Sequence, residues 1–145
     1  MILNERQYNI TKAQMKKFEL AINQLTSIPP PDEENQKLRY EARFNSLQSQ
    51  IEEFQKDIEE YENLKNNQGK IDKLRYESFE KLPEALIKAR IIRGLTQESL
   101  AKLLGVQPQQ VQRDEANMYA GASLTKLLKI QQALNLEIRV EIIFK

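Results

Sequence analysis

The chain has 145 residues, 40% hydrophobic and 30% charged, with a formal net charge of +1. Cysteine, histidine and tryptophan are absent, which removes disulfides, thiol nucleophiles, imidazole bases and the usual zinc ligands together. No apolar run approaches the roughly 20 residues that span a bilayer, and the opening MILNERQYN is too charged for a secretory signal. A soluble, cytoplasmic protein with no membrane partner is therefore expected.

In chain order, Thr11 with Gln14 three residues on forms a capping-box pattern, which predicts a helix over about 12–26. Met15, Phe18, Ile22 and Leu25 give it one apolar face. Pro29, Pro30 and Pro31 stop it. A second helix begins near Asp32, where Asp32, Glu33 and Glu34 complement the helix dipole. Tyr40, Phe44, Leu47, Ile51, Phe54, Ile58 and Tyr61 alternate spacings of four and three, as in a left-handed coiled-coil seam, until Asn66, Asn67 and Gly69 end the run. The second helix would be about 50 Å long and the first only about 22 Å. A hairpin of the two leaves half the stripe uncovered, so the simplest partner is the same stripe on a second chain, a homodimer. The alternative is a solvated helical hairpin within one monomer. The acidic run Glu52, Glu53, Asp57, Glu59, Glu60 and Glu62 is then the solvated outer face.

Residues 70–82 read as a connector packing through Phe79 and Leu82, with Ile71, Leu74 and Tyr76 in a short strand or a helical turn. Pro83 opens a helix expected to run through Arg93, with Gly94 just past its end. TQESLAKLLGVQPQQVQRDEAN, residues 96–117, has the spacing of a helix-turn-helix. Thr96 caps a helix carrying Leu100, Ala101, Leu103 and Leu104, Gly105 ends it, and Pro108 starts the next. Small Ala101 permits a close crossing, with Val106 and Val111 filling the wedge. NMYAGA forms a loop, and Ser123 caps a helix with Leu124, Leu127, Leu128 and Leu134 inside, closed by Asn135. In the tail, Ile138, Val140, Ile142 and Phe144 alternate with Arg139, Glu141, Ile143 and Lys145, the period of a strand. A lone strand must pair with an edge in this chain or in a partner.

Charge divides mildly between the halves. Residues 1–82 carry 13 Lys and Arg against 15 Asp and Glu, net −2, whereas residues 83–145 carry 9 against 6, net +3. That suits a C-terminal half meeting phosphate.

On the motif GLTQESLAKLLGV and its surroundings, residues 82–136 resemble the Xre, or Cro/cI-type, repressors, a five-helix fold whose third helix enters the major groove. The resemblance implies double-stranded operator DNA as partner, Gln97 on a phosphate, and Gln107, Gln109, Gln110 and Arg113 toward base edges. Glutamine bidentate to adenine and arginine to guanine suit that role independently. Gln112 lies beside them, within reach of sugar or phosphate. The resemblance also pairs Arg90 with Glu115 as an internal ion pair that sets the angle of the recognition helix. Asp114 departs from the pattern, standing where an apolar or aromatic residue is usual.

The expected fold is mainly α. An N-terminal helical coiled-coil hairpin (1–69) serves dimerisation and partner binding, followed by a connector (70–82), a five-helix DNA-binding domain (83–136) and a short C-terminal β-strand (137–145). The expected function is a sequence-specific, dimeric transcriptional repressor needing no cofactor or metal. A helical extension joined to LPEALIKARIIRGLTQESLAKLLGV is similar to HigA-type antitoxins, which implies repression of its own operon and neutralisation of a protein toxin. The alternatives are a stand-alone Xre-type regulator and a coiled-coil scaffold that no longer binds DNA. No enzyme is expected, because no paired carboxylates or phosphate-cradling glycine loop stand out.

Overall fold

The computed structural model describes residues 1–145 and is mainly helical, with six α-helices and one 3-10 turn. The chain divides into two compact units, Met1–Asn63 and Leu64–Lys145.

The first unit is built on two helices, α1 (Glu5–Thr26) and α2 (Glu34–Asn66). Helix α1 starts a full two turns earlier than the Thr11 pattern predicts. Asn4 is the cap, its Oδ1 accepting from Gln7 N at 2.9 Å, while Leu3 N donates to Gln7 Oε1 at 2.8 Å. Two cap patterns compete here, and the upstream one wins because starting at Glu5 adds intrahelical bonds without breaking any. At 22 residues α1 is about 33 Å long, so it covers more of the α2 seam than a helix over 12–26 would. Tyr8 lies on Tyr61 with ring centroids 5.3 Å apart, and Phe18 meets Phe54 edge-on at 5.4 Å. Tyr8 also donates a short hydrogen bond to Glu62. Ile58 and Tyr61 are buried, while Tyr40, Phe44, Leu47, Ile51 and Phe54 are half-buried and Leu38 is exposed. An antiparallel hairpin thus uses much of the stripe within one chain.

In the second unit the segment read as a connector is packed rather than loose. The turn after α2 docks through Gln68, whose Nε2 donates to the Ile91 carbonyl at 3.1 Å. Phe79 does not pack inward as expected; it is exposed at the start of the 3-10 turn Phe79–Lys81. Helix α3 (Leu82–Ile92) ends at Gly94, whose φ of +70° and whose closeness to Gln68, 3.2 Å from a would-be Cβ, both favour glycine. Helices α4 (Gln97–Leu104) and α5 (Pro108–Ala116) form the helix-turn-helix, with the expected Thr96 cap, left-handed Gly105 and Pro108 at the first position. Leu100, Ala101 and Val111 are buried at the crossing, whereas Val106 is exposed and leaves the wedge to Val111.

Helix α6 (Leu124–Ala133) carries the expected Ser123 cap. Its inward residues are Ile130 and Leu134, with Leu127 half-buried; Leu124 and Leu128, expected inside, are exposed. Asn135 ends it at φ +51°. The second unit therefore has four α-helices and a 3-10 turn where the resemblance implied five helices. No helix follows α6, because residues 137–145 have a period of two and cannot make a helical stripe. They form no β-strand either, contrary to expectation. A strand needs a neighbouring edge, and this chain offers none.

Candidate nucleic-acid interface

The helix-turn-helix is locked from behind by a buried polar network. Glu115, with no exposure, accepts from Arg90 Nε at 2.6 Å, Arg90 Nη2 at 2.8 Å and Gln97 Nε2 at 2.8 Å. The third arm of the guanidinium, Nη1, donates to the Leu95 carbonyl at 2.7 Å. One carboxylate thereby ties α3, the turn after it, α4 and α5 together. The planar fork of arginine suits both carboxylate oxygens. The expected Arg90–Glu115 ion pair is formed, and it joins α3 to α5.

That network also takes Gln97. Its side chain is only 6% exposed and its amide donates inward, which sets it apart from the exposed face of α5. The sequence carried no sign of this, because the position after a cap is ordinarily solvated and its partner lies eighteen residues on.

Tyr119 completes the back wall. Met118 and Tyr119 both adopt left-handed backbone, φ +54° and +53°, and their amides cap α5 by donating to the carbonyls of Glu115 and Asp114 at 3.0 and 2.7 Å. The tight turn folds the ring of Tyr119 into the interior. Burial, with the Glu115 charge nearby, pushes its phenol well above the usual tyrosine range.

On the opposite face, Gln107, Gln109, Gln112 and Arg113 are exposed. Gln107 is the helix cap by backbone alone, leaving its amide outside the capping. The first turn of α5 carries no acidic residue to repel phosphate. Gln110 is half-buried, donating to Asp114 Oδ1 at 3.0 Å. The two carboxylate oxygens of Asp114 are divided between that amide and Lys126 Nζ of α6 at 2.5 Å. At the position where an apolar residue was expected, Asp114 joins α5 to α6 by an ion pair, and its charge is compensated within the fold. Lys126 is twelve residues away on another helix, too far for any local motif to show.

Residues 86–140 match the Helix-turn-helix family model. That is a domain of DNA-binding transcription regulators, and the matched segment includes the network and the exposed face just described. The match spans less than half of the chain and says nothing of residues 1–85. No curated protein and no solved structure matches the chain. No helix is long and apolar enough to cross a membrane.

Proposed function

We propose that this protein is a sequence-specific transcriptional repressor that reads a palindromic operator as a symmetric dimer, with α5 in the major groove. The observation that carries this reading is the two-sidedness of α5: Glu115 is locked behind it while Gln109, Gln112 and Arg113 stand exposed in front. A helix held in place from the rear presents its exposed side chains to base edges without the cost of ordering its backbone on binding. Arg113 and Gln109 read base edges, Gln107 and Gln112 sit at their flanks, and Gln110 acts partly by orienting Asp114. Gln97 supports the helix from inside.

The finer reading is an antitoxin that represses its own operon and silences a toxin. Its support is the likeness of the sequence to HigA-type antitoxins and the presence of a separate compact unit, Met1–Asn63, with an acidic helix the DNA-reading half does not use. An acidic helix suits the basic surface of an RNA-cleaving enzyme.

The test is binding to an operator selected from random duplexes, compared with unrelated DNA at one fixed salt concentration. Replacing Arg113 by alanine should cost about 1–3 kcal/mol on the selected site and little on unrelated DNA. Equal losses on both would reject a base-reading role.

A further inference from the structure

The tail is the one segment of the second unit with strand-like alternation and no strand partner. Ile138 and Val140 line, with Phe79, Leu82, Leu124 and Leu128, an apolar cavity of about 190 Å³. Beyond it Ile142 is 76% and Phe144 93% exposed, and Phe79 and Leu124 at the cavity rim are exposed as well. Contiguous apolar surface of this kind on a small domain marks a contact site.

From this geometry we infer that the tail pairs with the tail of a second copy of the chain, as two antiparallel strands related by a dyad at Val140. The register follows from the sequence of the segment. With Val140 opposite itself, Ile138 faces Ile142 of the second copy, and Arg139 faces Glu141 twice, once in each direction. Opposite charges across a strand pair stabilise it, and like charges destabilise it. Centring on Arg139 sets that residue against itself and Glu137 against Glu141; centring on Glu141 repeats the fault; centring on Ile142 sets Arg139 against Lys145. Centring on Ile138 runs the pair into Asn135, whose carbonyl already accepts from Arg93 at 2.9 Å, and into the end of α6. A slip of the pairing by one residue in either direction sets Val140 against Arg139 or Glu141, and Ile142 against Glu137 or Arg139. Within the chain Arg139 already bonds Glu137 at 2.6 Å, so in the dimer it stands between two carboxylates. The ribbon's apolar face then lies over the cavity in each copy and covers Phe79 and Leu124. A self-complementary patch of this form closes as a twofold dimer, the symmetry that a palindromic operator requires. This deepens the dimer of the proposed function by naming its surface.

The absence of cysteine makes the test direct in the full-length protein. Under mild oxidation without DNA, a Val140→Cys variant should form a covalent dimer. Ile138→Cys and Ile142→Cys should cross-link to each other when mixed but poorly when alone. Adding Arg139→Glu to Val140→Cys should reduce cross-linking at least tenfold, and further adding Glu141→Arg should restore it. Both charged side chains are exposed, so circular dichroism should show all variants folded. The inference is overturned if Val140→Cys stays monomeric, if Ile138→Cys cross-links alone as readily as in the mixture, or if the double charge reversal fails to restore the dimer. Because cross-linking is read without DNA, those failures leave the DNA-binding reading standing, and loss of operator binding alone leaves the dimer standing.

Discussion

Two acidic residues show how position decides what a charge does. Glu115 is fully buried and accepts three hydrogen bonds, so its value lies in completeness. Removing Arg90 leaves a buried carboxylate short of two donors, and Arg90→Ala should lower stability by about 3–5 kcal/mol, measured by urea unfolding. A loss below 1 kcal/mol would mean that water enters and replaces the guanidinium. Glu84, on α3, is paired with Lys88 at 2.8 Å and Lys81 at 3.2 Å. The Lys88 hydrogen bond, outweighing desolvation, holds its carboxyl below the usual carboxylate value of 4.5. A depressed carboxylate contributes stability that is present above the ordinary value and lost as pH falls through the lowered one. The melting temperature of wild type should therefore exceed that of Glu84→Gln at pH 7, with the gap closing below about pH 4. A gap that persists at pH 3 would assign the difference to packing instead.

At the scale of elements, pattern and outcome differ most where two solutions compete. Asn4 with Gln7 and Thr11 with Gln14 are equally good capping patterns by spacing, and only the longer helix reveals which is used. That choice changes the meaning of the α2 seam. With α1 reaching back to Glu5, Phe18 and Tyr8 meet Phe54 and Tyr61 inside one hairpin. Ile51→Lys with Phe54→Lys should then lose helix content and melt the first unit at lower temperature, seen by circular dichroism. If the variant instead keeps its helix content and changes only from dimer to monomer in sedimentation, the seam is an interface between chains. In α6 the leucine stripe is wider than its inward face. Ile130 and Leu134 are buried while Leu124 and Leu128 are not, because a short helix on a small domain has only one neighbouring surface to cover it.

Across the whole molecule, the chain divides into an acidic, aromatic-lined hairpin and a mildly basic helix-turn-helix unit. If the hairpin binds a basic toxin, the full-length protein mixed with the product of the adjacent gene should form a complex that weakens when the exposed Glu52, Glu53 and Glu59 are replaced by glutamine. Arg113→Ala should leave that complex intact. The dependence of operator affinity on salt offers a control, since the glutamine variants should leave its slope unchanged while loss of a phosphate contact shallows it. A complex abolished by Arg113→Ala would place the toxin on the reading face and overturn the division.

By itself the sequence determined what depends on neighbours along the chain. The caps Thr96 and Ser123, the left-handed Gly94 and Gly105, Pro108 at a helix start and the exposed glutamines of α5 were all legible, because each is set by a few consecutive residues. The Arg90–Glu115 pair was legible only through resemblance to a family. Only the tertiary structure decided that Gln97 turns inward, that Asp114 is answered by Lys126, and that Phe79, Leu124 and Leu128 stay outside. It also showed that the alternating tail finds no partner within its own chain. The reason is common to all of these: burial and charge pairing depend on which distant surface arrives opposite a residue. Local periodicity sets the direction of a side chain but not what it meets.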